Sequence, residues 1–148
     1  MIDNQNTIVV IPARMASTRL PGKPLADIQG LPMIVQCWKR AVEANIGQVL
    51  VAAAEVEIAD AIRAHGGDAI VTDPGLPSGS DRIAEALALR DPQGRFEYVV
   101  NLQGDEPLIE PEAIETLLLA MAESGAEMGT GMGTSQAVVA YNRFARDI

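Results

Sequence analysis

One cysteine, one histidine and an aromatic content of 3% leave this chain with few of the residues that usually announce a mechanism. A single thiol, Cys37, forbids an intrachain disulfide and leaves no CxxC pair for a structural metal. It reads as a small buried hydrophobe on a helix, which suits a reducing compartment. With His65 alone, placed before Gly66-Gly67 at the end of a predicted helix, no nucleophile–histidine arrangement can be built. No stretch of about twenty apolar residues is present, so no membrane span is expected. The opening "MIDNQNTIVVIPAR" lacks a basic n-region and a long apolar h-region, so no signal peptide is expected either. These absences describe a soluble protein of the cytoplasm.

Basic residues are scarce too: 11 lysines and arginines stand against 20 acids, for a net charge of -9. Such a surface cannot neutralise a nucleic-acid backbone, and few aromatics remain for base stacking. What positive charge there is lies together. From Asn4 to Ala26 no acid occurs, while Arg14, Arg19 and Lys23 do. That segment carries +3 and the rest of the chain -12. A small anion remains a suitable ligand.

At 148 residues the chain suits one domain, able to bury roughly 68–70% of its unfolded surface. "TIVVIPA" (Thr7–Ala13), "GQVLVAAA", "DAIVT" and "FEYVVNLQ" read as buried strands, rich in β-branched residues. Between and after them, "LPMIVQCWKRAVEAN", "EVEIADAIRAHGG", "SDRIAEALALR" and "PEAIETLLLAMAES" have helical apolar spacing. Pro32 and Pro111 open two of these helices, Gly66-Gly67 closes another, and Ser80 or Asp81 is the expected cap of the third. Alternating strands and helices predict an α/β fold: three layers, a doubly wound, mostly parallel sheet with helices on both faces. Ligands then bind beyond the carboxyl ends of the strands.

Three segments follow strands and carry polar chemistry. "IPARMASTRLPGKPL" is neither a P-loop, since Pro24 follows Gly22-Lys23, nor a Rossmann turn. The "GTGMGT" run at Gly129–Thr134 has the wrong spacing for the latter. The loop joins cations to prolines that limit its unfolded freedom. At an effective dielectric of 20, a cation about 4 Å from a phosphate charge contributes roughly 4 kcal/mol before desolvation. The plain alternative is a solvated basic loop. In "NLQGDEP", Asp105 and Glu106 follow a turn glycine at a strand end, suited to Mg²⁺ bridging carboxylate and phosphate oxygens; two solvated turn acids are the alternative. In "SGSDR", Ser78, Gly79 and Ser80 offer hydroxyl and backbone groups to a flat polar base, or simply cap a helix.

Taken together, "IPARMASTRLPGKPLADIQGLPMIVQ", "SGSDRIAEAL" and "VNLQGDEPLI" resemble the 3-deoxy-D-manno-octulosonate (Kdo) cytidylyltransferases, the CMP-Kdo synthetases, from about Ile8 to about Ile114. Acylneuraminate and spore-coat polysaccharide cytidylyltransferases are similar over the first loop, but "VNLQGDEP" favours the Kdo family. The resemblance implies a nucleotide-diphospho-sugar transferase (nucleotidyltransferase) fold and Mg²⁺-dependent transfer of CMP from CTP to Kdo, a step of lipopolysaccharide biosynthesis. It also implies roles. Arg14, Arg19 and Lys23 would grip the triphosphate, and Ala13, Arg14, Lys23, Ser78, Gly79 and Arg82 would frame the nucleotide. Asp105 would bind the metal, and Gln103 would touch the sugar.

Two departures accompany it. The family's usual Val-Ala-Thr-Asp after the second strand is "VAAA" here, with Ala53 and Ala54 at the polar positions. Family members are also longer, so residues 1–130 are expected to be the nucleotide-binding part of a truncated domain. Residues 131–148 form a divergent tail with Ala137, Tyr141, Phe144 and Ile148 at helical spacing, expected to be a short amphipathic helix capped by Ser135. Its apolar face needs a cover, either the sheet edge or another copy, and a homo-oligomer is expected. A remnant that binds CTP or self-associates without catalysis is the other reading.

Overall fold

The computed structural model describes residues 5–15, 22–104, 110–124, 128–130 and 138–143. Strand β1 (Thr7–Ala13) is buried at all seven positions, as a central strand covered on both faces must be. Its side chains alternate between two cores. Val9, Ile11 and Ala13 join the larger one, with Val51 and Ala53 of β4 (Gln48–Ala53) and Val100 and Leu102 of β6 (Tyr98–Leu102). Helices α1 (Met33–Ala44), α2 (Val56–Ala64) and α4 (Pro111–Ser124) cover that face with Ile34, Val35, Ile58, Ile62, Ile114 and Leu117. Ile8 and Val10 point the other way, to Ile83, Ala86 and Leu87 of α3 (Gly79–Arg90) and to Phe96. The molecule has the expected three layers.

The main sheet runs β5-β4-β1-β6-β8-β7, with β5 at Asp68–Val71, β7 at Met128–Thr130 and β8 at Val138–Asn142. β5, β4, β1 and β6 are parallel neighbours; β8 is antiparallel to β6 and β7 to β8. The chain steps outward from β1 through β4 to β5, then returns to place β6 on β1's other side. The order reverses between β1 and β6, which makes that gap the topological switch point. A two-residue hairpin, β2 (Asp27–Ile28) with β3 (Leu31–Pro32), precedes α1.

Two expectations need correction. Val138–Asn142 is a strand, not part of an amphipathic helix. Its five residues pair with β6 from Val138↔Leu102 to Asn142↔Tyr98, and β6 would otherwise offer an unpaired edge. β8 therefore lies within the sheet, between β6 and β7, and Ser135, Ala137, Phe144 and Ile148 lie outside the described residues. Arg143 fixes its end: Nη1 donates to Asp91 Oδ2 at 2.6 Å and Nη2 to the Asp91 carbonyl at 3.1 Å. Helix α3 is capped by Ser78, ahead of the expected Ser80 or Asp81. Ser78 Oγ accepts the Asp81 amide at 3.1 Å and donates to the Asp81 carboxylate at 2.7 Å, a reciprocal arrangement that fixes the first turn. No helix among the described residues is long and apolar enough to cross a membrane.

Candidate active site at the carboxyl ends of the strands

Beyond Val10↔Asn101 the β1–β6 ladder stops, whereas β1–β4 continues to Ala13↔Ala53. Pro12, which has no N–H to donate, sits where β1 has lost its β6 partner. Two glycines from other loops close on it. A Cβ on Gly104 would lie 2.8 Å from the Pro12 carbonyl oxygen and 3.6 Å from Ala13 Cβ. A Cβ on Gly79 would lie 3.3 Å from Pro12 Cγ. The glycines of "NLQGDEP" and "SGSDR" thus meet the opening segment at one residue, and glycine is what lets them come so near. Buried Cys37 of α1 supports the contact from below, its Sγ donating to the Gly104 carbonyl at 3.3 Å.

The opening loop is pinned at its base. Gly22, at a φ of 79°, donates its N–H to the Met15 carbonyl at 2.9 Å. Met15 N–H in turn donates to Glu55 Oε1 at 2.9 Å. Ala54 N–H reaches the Ala13 carbonyl at 2.9 Å. Arg14, just before Met15, is exposed, and within the described residues it makes no hydrogen bond or ion pair. Lys23 opens a 3-10 turn, Lys23–Leu25, anchored by buried Pro24. Arg19 lies outside the described residues.

Ala13 is buried at the end of β1. Ser78 is exposed and Gly79 half-buried at the start of α3, whose N-terminal amides and dipole favour an anion or a polar group. Gln103 is exposed at the end of β6; Asp105 and Glu106 lie outside the described residues. Arg82 differs from the others in being 2% exposed. Its Nε donates to Thr72 Oγ1 at 2.9 Å and its Nη2 to the Asp73 carbonyl at 3.0 Å. Ala53 and Ala54, where the resemblance leads one to expect a hydroxyl and a carboxylate, are buried. The hydroxyl nearest in role is Thr72, whose Oγ1 donates to the Ala53 carbonyl at 3.1 Å.

Sequence reasoning missed Glu55 and Thr72. Both follow the carboxyl end of a strand, Glu55 after β4 and Thr72 after β5, and that position was the available signal. Among the described residues no three of His, Cys, Asp and Glu gather as a metal site.

The family described as cytidylyltransferase matches residues 8–144, through the whole of β8. The 3-deoxy-manno-octulosonate cytidylyltransferase of Rhodospirillum rubrum is 67% identical over 115 residues, covering 75% of this chain and 46% of its own. That of Parvibaculum lavamentivorans is 59% identical over 123 residues, 83% of this chain and 48% of its own. The chain spans about half the length of these curated relatives. A solved CMP:2-keto-3-deoxy-manno-octonic acid synthetase complexed with CTP superposes with a TM-score of 0.81 at 31% identity, over 93% of this chain and 74% of that one. A cytidylyltransferase from Leptospira borgpetersenii reaches a TM-score of 0.73 at 18% identity, covering 93% and 60%. That second likeness is one of fold.

Proposed function

From a chain that belongs to the cytidylyltransferase family over residues 8–144, we propose transfer of CMP from CTP to Kdo, with release of pyrophosphate, in the cytoplasm. The observation that carries this reading is the meeting of Gly79 and Gly104 on Pro12 at the switch point. It brings Gly79, at the start of α3, and Gly104, after β6, against the strand end that leads into Arg14. The names of the similar proteins, a Kdo cytidylyltransferase and a CTP-bound synthetase, supply the substrates.

The anomeric hydroxyl oxygen of Kdo attacks the α-phosphorus of CTP, the bond to the β-phosphate oxygen breaks, and the hydroxyl proton passes to solvent. Catalysis of this kind is positioning and charge neutralisation. Arg14, Arg19 and Lys23 bind the triphosphate. Ala13, Ser78 and Gly79 hold the nucleoside, and Gln103 orients the sugar. The donor set suits Mg²⁺, which takes one or two protein carboxylates and completes its shell with phosphate and water. Asp105, next in sequence to Gly104, would hold it, and the ion would supply further charge neutralisation on the phosphates.

The test is pyrophosphate release from CTP in the presence of Mg²⁺ and Kdo, with Asp105→Ala as the comparison. Turnover that Asp105→Ala lowers by 100-fold or more, about the size expected for loss of a charge-stabilising group, is the expected result. CTP binding without turnover would assign the chain nucleotide binding alone. Preference for an acylneuraminate over Kdo would replace the acceptor.

A further inference from the structure

The geometry points to Arg82 as a positioning residue of this site: with Thr72 it braces the loop from Asp73 to Ser78 that sets Gly79 against Pro12, and it does not itself touch the nucleotide. The inference rests on the functional reading above and deepens it.

Arginine is seldom fully buried unless a carboxylate pairs with it. Arg82 is 2% exposed, and its side-chain partners are neutral oxygens, Thr72 Oγ1 and the Asp73 carbonyl. No ion pair of Arg82 occurs among the described residues. A buried charge is tolerated only where its hydrogen bonds are well made, so the acceptors must stay where they are. Thr72 meets that need because it is fixed from its other side. Its Oγ1 donates to the Ala53 carbonyl at 3.1 Å and its N–H donates to the same oxygen at 2.8 Å.

The next residue is gripped twice. The Asp73 carbonyl accepts from Arg82, and the Asp73 N–H donates to Glu85 Oε2 at 2.6 Å. Arg82 and Glu85 are three residues apart and so share a face of α3. The far end of the loop is Ser78, the cap of the same helix. Both ends of the loop are therefore tied to α3's first turns, and Arg82 is the crosspiece that joins them to the end of β4. Lysine could not replace it, because a single ammonium lacks the planar fork that reaches two acceptors in fixed directions.

The test compares Arg82→Lys, Thr72→Val, Thr72→Ser and the double variant Arg82→Lys/Thr72→Val. CTP affinity is read by calorimetry, and amide hydrogen exchange of residues 73–79 is read without ligand. Arg82→Lys is expected to weaken CTP binding about tenfold, the size of one lost charged hydrogen bond. Thr72→Val should weaken it in the same direction. The double variant should be little worse than Arg82→Lys, because the two residues act as one unit. Exchange across 73–79 should quicken in Arg82→Lys and in Thr72→Val before nucleotide is added, whereas Thr72→Ser should keep both readouts as in the unaltered chain. Thr72→Val, close to isosteric, decides the matter if Arg82→Lys does not fold. Weakened CTP binding in Arg82→Lys with unchanged exchange and a silent Thr72→Val would overturn the proposal in favour of direct contact. Quickened exchange with unchanged CTP affinity would overturn it as well. If the unaltered chain does not bind CTP, the functional reading falls, and the exchange pattern alone still supports or overturns the brace.

Discussion

Both ends of the sheet reach the apolar cores, which Ala140 and Tyr141 of β8 also enter, but only the antiparallel end carries a polar clamp as well. In the parallel part, β5-β4-β1-β6, strands are joined through helices and buried in two apolar cores. At the antiparallel end, β8 lies against β6 through five register pairs and is fastened by polar groups. Asp91, 2% exposed, accepts Arg95 N–H at its Oδ1 and Phe96 N–H at its Oδ2, both at 2.9 Å, and the Arg143 guanidinium besides. Arg143 N–H and the Asn142 amide add bonds to the Glu97 carbonyl and carboxylate. Apolar burial is non-directional and spread over many residues. The clamp is directional and centred on the Asp91 carboxylate, with Glu97 beside it. The candidate site sits on the first kind of structure, and β6 is the strand the two ends share.

The largest expected effect comes from the apolar part. Ile11 is fully buried in the central strand, and Ile11→Ala should cost about 3 kcal/mol through lost transfer energy and a residual cavity. Urea denaturation would measure it. Because β1 belongs to both neighbours, amide exchange should quicken in β4, β6 and β8 alike. A loss confined to β8 would break the comparison, since it would make the antiparallel end dependent on packing and the parallel part indifferent to it.

The same contrast governs what the sequence made legible. Runs such as "IVVI" and "VLVAA" are apolar throughout and rich in β-branched residues, and a strand buried on both faces is written in its own residues. The four helices were legible from apolar spacing, and the chemistry-bearing loops from their place after strands. β8 was not. "VVAYN" is too short for periodicity to decide, and Tyr141 stood at helical spacing from Ala137 and Phe144. What makes it a strand is β6, about forty residues earlier. Asp91 and Arg143, 52 residues apart, escaped for the same reason: "DPQG" is ordinary turn chemistry until a distant cation meets it. Arg82 shows a further limit. Its motif identified a residue of the site region, but only burial shows that its guanidinium is turned inward.

A smaller and more local effect is expected from Arg143→Ala. It leaves Asp91 with its two backbone donors and the Arg95 guanidinium 3.9 Å away, and removes the charged hydrogen bond, a loss of about 2 kcal/mol for a buried carboxylate. Amides of β8 should exchange faster, while β1 and β4 keep their protection, because only the guanidinium's part of the clamp has gone. Uniform loss across the sheet would show that both ends unfold as one unit, and the distinction drawn between them would then be one of chemistry alone.

The smallest effect is set by acid. Burial raises the Asp91 pKa, but the N–H groups of Phe96 and Arg95 and the Arg143 guanidinium outweigh it, so the carboxyl titrates below its ordinary value of 3.8. In the unfolded chain that restraint is absent, and the group takes up its proton at higher pH. Between the two values the unfolded state binds more protons, so stability rises with pH across that window. Asp91 therefore makes its full contribution above the ordinary carboxylate range and loses it as pH falls through the folded-state value. Denaturation followed from pH 6 down to about pH 3, the range that brackets ordinary carboxylates, should show this loss. Asp91→Asn should be less stable at neutral pH and show a shallower slope in acid. The acid-induced opening should begin at β8, where exchange detects it before the apolar core of β1 and β4 responds. An unaltered slope in Asp91→Asn would move the acid sensitivity to other carboxylates and leave the clamp a neutral-pH device.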